Sequence, residues 1–296
     1  MIRLKSDLIT LEDDIKKVLE KKQKTINDLS TFTEKSTKAG KAWDSKGAPD
    51  VFKKIKTQLI SLCVSVEICN YCESNEANDI EHIFPKKLFP HRTFLWKNYL
   101  LACQRCNSTY KQDIFAIFDP LDSENVTEYF SRQKVEVAPA TEDSAFINPR
   151  EENPMDFLWL DLDYGIFNIH PDFLGDENSR GYKKGYHTRK ILKLNDRESL
   201  VVGRKAARKE YLHLLEEYIA IKKATNFEEL KKAVHNCPEV NESIPFVEEK
   251  QNIIDSTKRQ IKTHRHPTVW HELVRQRKLY PFFERLFSEV PEVILW

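Results

Sequence analysis

The chain has 296 residues, of which 40% are hydrophobic and 31% are charged. This length and composition predict one large or two medium-sized folded domains with a buried core. Lys and Arg number 47 and Asp and Glu number 46, so the formal net charge is only +1. A general electrostatic attraction to nucleic acid or membranes is therefore excluded, and any affinity for a polyanion must be local.

The hydrophobic pattern predicts a cytoplasmic protein with no membrane partner. The first residues, MIRLKSDLITLEDD, carry acidic side chains where a signal peptide needs an apolar core. No later stretch reaches about 18 consecutive apolar residues. In such a protein, cysteines grouped in Cys-x-x-Cys pairs favour metal binding over disulfides. Four of the six cysteines are grouped in this way, which leaves Cys63 and Cys237.

Two helical regions are predicted before the first cysteine pair. Charged sequence with sparse apolar positions predicts an amphipathic helix from about residue 8 to 33, which Ser36, Gly40 and Gly47 are expected to end, with a linker after it. A second helix is predicted from Pro49, because apolar residues recur there every three or four positions. These apolar residues are Val51, Ile55, Leu59, Leu62 and Val66. This helix is expected to buttress the cysteine-rich segment that follows it.

Beyond Asp119 and Pro120 the pattern changes to short alternating segments separated by proline and glycine, which predicts strands and loops. Val135 with Val137 forms one such segment, and the stretch from Phe157 to Phe167 forms another. Long charged helices are predicted from Gly185 onward, with further helical turns from Ile253 to Arg277. One apolar helix face is expected to consist of Tyr211, Leu214, Leu215, Tyr218 and Ile221.

The fold class predicted from these patterns is α+β and mostly helical. Four regions are expected: an N-terminal helical region (1–66), a cysteine-rich core (67–118), a region of strands and loops (119–184) and a C-terminal helical region (185–296). The regions differ in the period of their hydrophobic pattern, which is the main sequence signal for secondary structure.

Two cysteine turns predict a structural zinc site. Cys69 with Cys72 and Cys103 with Cys106 each place two thiolates on one tight turn, here called a knuckle. Two knuckles complete the tetrahedral sulfur cage that Zn²⁺ prefers, and four thiolates leave no open position for a catalytic water. The 30 residues between the knuckles exceed the roughly 15 to 20 of a simple zinc ribbon. Buried inert cysteines and a redox pair are alternatives, which two matched pairs disfavour.

The segment between the knuckles places an acid beside a histidine. Glu81 and His82 lie in an apolar stretch that favours a strand and ends at Pro85. Adjacent strand residues point to opposite faces, so a bend or bulge is required before both can reach one phosphate. Taken singly, His82 could be a core histidine, Asn98 a turn residue and Asn107 a helix cap.

In this order the motifs resemble the HNH, or ββα-metal, endonuclease family in its four-cysteine form, over about residues 67 to 113. The resemblance implies that His82 is the general base, that Glu81 and Asn107 bind a catalytic metal, and that Asn98 orients the His82 ring. Lys111 stands where the family often has a phosphate-facing lysine. The family more usually has Asp at the first ligand position and often His at the second. Oxygen ligands favour Mg²⁺ or Mn²⁺ over a second zinc.

The same segment is basic. Residues 82 to 111 contain no Asp or Glu and six cations, namely Lys86, Lys87, Arg92, Lys97, Arg105 and Lys111. Aromatic residues alternate with these cations, which is typical of a groove that follows a nucleic-acid backbone. Lys86, Lys87, Arg105 and Lys111 are the candidates for substrate binding. A solvated surface is the alternative interpretation of this charge.

Three later segments resemble the HNH subunits of bacterial anti-phage systems of the Septu type and their retron-associated relatives. They are Phe118 to Pro120, Asn148-Pro149 with Asp156-Phe157, and Leu192 to Asn195 running to Arg204. This resemblance implies a partner ATPase of the ABC or SMC-like class. The predicted function is metal-dependent endonucleolytic cleavage of nucleic acid, most simply DNA, in anti-phage defence. A non-catalytic zinc module that binds nucleic acid or protein, and an RNase of the same fold, are the alternatives.

Overall fold

The computed structural model describes residues 1–5, 9–45, 47–64, 67–75, 77–122, 124–234 and 240–296, so Val66 and Cys237 lie outside the described residues. The chain forms two compact units. Unit 1 comprises Met1–Trp159 and Phe167–Arg197, and unit 2 comprises Leu160–Ile166 and Glu198–Trp296. Helices predominate and the sheets are small, which confirms the predicted α+β class. Among the described residues, no helix is both long and apolar enough to cross a membrane.

The N-terminal part of unit 1 is helical, with α1 (Asp13–Asn27), α2 (Phe32–Asp44) and α3 (Pro49–Ile60). Helix α2 begins with a capping box, in which Thr31 Oγ1 accepts from the Glu34 amide and the Glu34 carboxylate accepts from the Thr31 amide. The helix continues through Ser36 and Gly40, so the predicted break at these two positions is wrong, whereas Gly47 lies between α2 and α3. A glycine inside a helix costs only about 1 kcal/mol relative to alanine, which a good cap can offset.

Helix α3 begins at Pro49, as the sequence predicts, but it ends at Ile60. Its buried residues include Ile55 and Leu59 from the predicted stripe, whereas Val51 is half-buried. Leu62 is buried just beyond the end of the helix. The predicted apolar stripe is therefore confirmed in its centre, and the helix is shorter than its pattern suggests.

A β-hairpin with a long connection lies at the centre of the cysteine-rich segment. Strands β1 (Asp79–His82) and β2 (Tyr99–Ala102) are antiparallel, and Glu81 is opposite Leu100. Two short 3₁₀ turns, Pro90–Arg92 and Trp96–Asn98, lie in the connection. A short π-helical segment, Arg105–Lys111, begins within the second knuckle and includes Cys106. All four residues of β2 are buried, so this strand forms part of the core of unit 1.

Two further strand pairs follow, β3 (Phe115–Phe118) with β4 (Val126–Tyr129) and β5 (Leu158–Asp161) with β6 (Ile166–Ile169). The second pair confirms the strands predicted between Phe157 and Phe167. The segment of Val135 and Val137 does not form a strand, and Val137 is 77% exposed. The free edge of β3 pairs instead with the chain around Ser144. An alternating pattern forms a strand only where a partner edge is available.

Helix α4 (Arg180–Ile191) completes unit 1 and begins before Gly185, where the sequence predicts the helical region to start. A Cβ atom at Gly185 would lie 2.7 Å from the carbonyl oxygen of Phe157. Glycine is therefore required where the helix approaches this backbone closely.

Unit 2 is mainly helical. Its helices are α5 (Glu198–Lys223), α6 (Phe227–Ala233), α7 (Phe246–Thr263), α8 (Pro267–Gln276) and α9 (Pro281–Glu289). The apolar face predicted on α5 is confirmed, because all five of its residues are buried. The turns predicted from Ile253 to Arg277 correspond to α7 and α8.

Candidate functional site

The four knuckle cysteines form one buried cluster in unit 1. The sulfur atoms of Cys69, Cys72, Cys103 and Cys106 all lie within 4.8 Å of one another, and the Cys72 and Cys103 sulfurs are 3.8 Å apart. A tetrahedron with Zn–S bonds of ~2.3 Å has edges of about 3.8 Å. The cluster could therefore bind zinc, as the cysteine spacing predicts.

Asn70 holds the first knuckle against the strand that leads to the second. Its backbone N–H donates to the Leu101 carbonyl at 2.9 Å, and its side-chain Oδ1 accepts from the Leu101 N–H at 2.9 Å. In the second knuckle, the Cys106 amide donates to Cys103 Sγ at 3.5 Å. These bonds fix the two turns so that their sulfurs converge.

Arg197 is a further residue at the cysteine cluster. Its Nη2 donates to Cys106 Sγ at 3.4 Å and to the Leu192 carbonyl at 3.1 Å. Burial opposes its charge, but the neighbouring thiolates of Cys106 and Cys72 outweigh burial and raise the pKa of Arg197 above its ordinary value. Sequence reasoning missed this residue, since it lies 91 positions after Cys106 and no local motif marks it.

Strand alternation in β1 places the acidic side chains against the π-helical segment. Lys111 Nζ lies 2.6 Å from Glu81 Oε1, and Asn107 Nδ2 donates to Asp79 Oδ2 at 3.0 Å. Asp79 and Glu81 are two residues apart and share one face of the strand. The structure therefore brings Asp79, Glu81, Asn107 and Lys111 together. Sequence reasoning missed Asp79, although its spacing from Glu81 in a predicted strand was the available signal.

His82 is buried, with 5% of its surface exposed, among aromatic side chains. The His82 ring centroid lies 4.3 Å from that of Trp43 and 5.2 Å from that of Tyr99. His82 Nε2 is 2.9 Å from the carbonyl oxygen of Thr93, which also accepts from the Tyr99 hydroxyl at 2.8 Å. A carbonyl can only accept, so Nε2 carries the proton, and in the neutral ring the lone pair is on Nδ1.

The bend that the sequence requires within β1 does not occur. Glu81 and His82 pair regularly with Leu100 and Tyr99 on β2. Their side chains therefore point to opposite faces of the strand, with the acid toward Lys111 and the imidazole toward Thr93.

Asn98 fixes the backbone that follows β1. Its Oδ1 accepts from the Phe84 amide at 2.8 Å, and its Nδ2 donates to the carbonyls of Phe84 and Arg92, each at 3.0 Å. Its own carbonyl accepts from the Ile83 amide at 2.9 Å. These bonds go to backbone groups rather than to the His82 ring. Asn98 can therefore act on the imidazole only through the chain that carries it.

Lys111 is buried, with no exposed surface. Its Nζ donates to the His82 carbonyl at 2.8 Å, whereas its contact with Glu81 is an ion pair without hydrogen-bond alignment. Burial raises the pKa of Glu81, although Lys111 and Lys86 act in the opposite direction. The resemblance implies that Lys111 faces a substrate phosphate, but in the structure its ammonium faces the buried Glu81 carboxylate.

The other cations of the basic segment differ in accessibility. Lys86 and Lys87 are half-buried and Arg105 is exposed. Arg92 forms an ion pair with Glu142, and its guanidinium lies 4.1 Å from the Phe84 ring centroid. Among the described residues, acids pair with Arg92 and Lys111, so the basic surface is smaller than the sequence suggests.

Helices α1 and α2 hold the connection between β1 and β2. Gln23 Nε2 donates to the Pro90 carbonyl at 3.1 Å, and Gln23 Oε1 accepts from the Phe94 amide at 2.8 Å. Ser36 Oγ donates to the Lys87 carbonyl at 2.8 Å. No role was predicted for these helices from the sequence. They nevertheless fix the surroundings of His82, since Trp43 of α2 contacts its ring.

The fold and the site define an α+β protein with a buried four-cysteine cluster beside a β-hairpin that carries acid, histidine and asparagine side chains. The chain is similar to curated proteins named Septu protein PtuB. It is 31% identical to the one from Bacillus mycoides (strain KBAB4) over 147 residues, which are 44% of this chain and 43% of that protein. It is 29% identical to one from Bacillus thuringiensis over 85 residues, 28% of this chain and 32% of that protein.

These similarities cover less than half of the length of either relative. No family model matches the chain, and no solved structure matches it.

Proposed function

We propose that this chain is a metal-dependent HNH endonuclease that cleaves DNA in bacterial anti-phage defence. The observation that carries the proposal is the environment of His82, whose Nε2 is held by the Thr93 carbonyl in a hairpin beside the four-cysteine cluster. A buried imidazole with a fixed tautomer suits a general base. The similarity to proteins named Septu supports the role in defence.

The donor groups near β1 fit a hard divalent cation. Asp79 and Glu81 share one face of the strand, and Asn107 lies within hydrogen-bond distance of Asp79. Carboxylate and amide oxygens are the ligands that Mg²⁺ and Mn²⁺ accept. Glu81 and Asn107 are thus the proposed ligands, with Asp79 beside them. A cation held there would supply Lewis-acid stabilisation of the phosphate and of the leaving oxygen.

In the proposed reaction, His82 Nδ1 takes the proton of the attacking water. The Thr93 carbonyl holds the Nε2–H throughout, and Trp43 and Tyr99 restrict rotation of the ring. A positioned base of this kind contributes roughly 10²- to 10⁴-fold to the rate. Because Glu81 and His82 face opposite sides of β1, we place the scissile phosphate at the end of the strand, next to His82. Asn98 keeps the chain in place there.

The remaining groups have supporting roles in the proposal. The four cysteines hold a structural zinc that keeps the hairpin and the π-helical segment together. Lys86, Lys87 and Arg105 contact substrate phosphates, since they are the accessible cations among those predicted to bind substrate. The net charge of +1 gives the chain little attraction for DNA. Delivery by a partner ATPase of the ABC or SMC-like class would account for this low charge.

The test is nicking of supercoiled plasmid with Mg²⁺, Mn²⁺ or EDTA, by the chain alone and with its co-purified partner. His82→Gln is compared with wild type, since glutamine keeps an N–H donor for Thr93 but cannot take a proton at neutral pH. His91→Gln is the matched control, because His91 is an exposed histidine of the same segment that pairs with Glu142.

We expect His82→Gln to reduce metal-dependent nicking at least ~100-fold, while His91→Gln retains wild-type activity. Parallel reactions on RNA separate an RNase from a DNase. The non-catalytic zinc module would be favoured instead by a protein that binds nucleic acid, cleaves it in no condition and loses binding only when the cysteines are replaced.

A further inference from the structure

The ion pair between Lys111 and Glu81 is the most deeply buried charge pair of the candidate site. The two side chains are 0% and 4% exposed. Lys111 Nζ is held from a second side by the His82 carbonyl, 2.8 Å away. Taking an ammonium and a carboxylate out of water is unfavourable unless each neutralises the other. The folded chain therefore keeps a cation on Glu81 by means of its own side chain.

This arrangement affects any metal at the same carboxylate. Magnesium–oxygen bonds are about 2.1 Å long, and the ammonium is 2.6 Å from Glu81 Oε1. A divalent cation on that oxygen would thus lie within about 5 Å of the Lys111 charge, where like charges repel strongly in a buried site. Metal and ammonium therefore compete for Glu81.

We propose that Lys111 is an internal counter-ion that a divalent cation displaces from Glu81, so that Lys111 sets the metal affinity of the site. The inference rests on the proposed function, because it takes Glu81 to be a ligand of the catalytic metal. The flexible four-carbon stem of lysine allows the ammonium to move away without movement of the backbone. Glu81 then has a neighbouring cation whether or not a metal is bound.

The experiment measures binding of Mn²⁺ to the full chain, by electron paramagnetic resonance of free Mn²⁺ during titration. Lys111→Met removes the charge and keeps the length of the side chain. Lys111→Gln keeps an N–H donor for the His82 carbonyl, and it serves as the second variant if methionine impairs folding. Lys97→Met is the matched control, because Lys97 is an exposed lysine of the same segment.

Both Lys111 variants are expected to bind Mn²⁺ at least ~10-fold more tightly than wild type, and Lys97→Met to stay within about 3-fold. Unchanged or weaker binding by a folded Lys111 variant overturns the inference, since Lys111 would then position Glu81 for the metal. The Glu81→Gln variant separates failure of the counter-ion inference from failure of the proposed metal site. If it weakens binding while the Lys111 variants do not tighten it, only the counter-ion inference fails. If it leaves binding unchanged, the proposed metal site fails as well.

Discussion

Arg197 shows how one residue far along the chain can belong to a metal site. Four thiolates around one Zn²⁺ carry a net charge of −2, which is unfavourable in a buried environment. Arg197 is 6% exposed, and its guanidinium donates to Cys106 Sγ. With zinc bound, Arg197 would offset part of this charge and orient one ligand, as outer groups at metal sites generally do.

Replacing Arg197 by methionine is expected to lower zinc affinity by about 10-fold or more, because the thiolate of Cys106 loses its donor and the cluster loses a neighbouring positive charge. Competition with a chromogenic chelator measures this affinity. Arg189→Met is the control, since Arg189 donates to the Phe167 carbonyl at 3.1 Å. Equal zinc retention by both variants would show that the Arg197 contact does not contribute to metal binding.

At this scale the sequence identifies residue types better than their partners. Cysteine spacing alone predicts the cluster, because four thiolates have few other uses in such a pattern. The hydrogen-bond partners of His82, Asn98 and Lys111 could not be predicted. They are backbone carbonyls and amides whose positions depend on the turns between β1 and β2. The pairing of Lys111 with Glu81 likewise requires knowledge of which strand face meets the π-helical segment.

Helix α4 is attached to strand β4 through a small polar cluster around Glu128. His187 Nδ1 lies 2.7 Å from Glu128 Oε1, and Lys190 Nζ lies 2.8 Å from the same oxygen. Burial lowers the pKa of His187 below its ordinary value, although Glu128 acts in the opposite direction. The folded protein therefore favours neutral His187, whereas the unfolded chain binds a proton there more readily.

The attachment of α4 is accordingly expected to weaken on acidification. The stability due to neutral His187 is fully present above its unfolded pKa of about 6.5 and is lost as the pH falls through that value toward the folded pKa. Urea unfolding at several pH values between about 8 and 5 measures this. His187→Gln should lose less free energy of unfolding over this range than wild type. Identical pH dependence in the two proteins would contradict the assignment.

Helices and strands could be predicted from the sequence where their own residues determine the local structure. The amphipathic face of α5 is one example, and the start of α3 at Pro49 is another. Helix α2 continues through Gly40, since a capping box stabilises the start of the helix. The alternating segment at Val135 failed to form a strand because the chain around Ser144 occupies the edge of β3. Such competition between segments is invisible to a local pattern.

In the whole molecule, all four cysteines of the candidate zinc site belong to unit 1. A metal that holds two distant turns together contributes its binding free energy to folding. We expect removal of zinc by a strong chelator to increase hydrogen exchange from residue 67 to 111 and to leave helices α5 and α7 of unit 2 unchanged. Cys103→Ser should reproduce this effect without a chelator.

Cys63→Ser is the matched control, since Cys63 Sγ accepts from Asn70 Nδ2 and lies outside the four-cysteine cluster. This variant should retain zinc and normal exchange. Uniform loss of protection in both units would show that zinc stabilises the molecule as a whole.

The division into units was not evident from sequence, because residues 160–166 join unit 2 through contacts such as Leu160 with Glu272 and Gln276. Those partners lie more than 100 positions away.

The central claim is that His82 acts as a base for phosphodiester cleavage, and the rate of Mn²⁺-dependent plasmid nicking by His82→Gln tests it most directly. The rate is measured for zinc-loaded, folded protein, under the same conditions as wild type and His91→Gln. The proposed mechanism predicts a rate at least ~100-fold below that of wild type, with zinc content unchanged. A His82→Gln rate equal to that of wild type would contradict it.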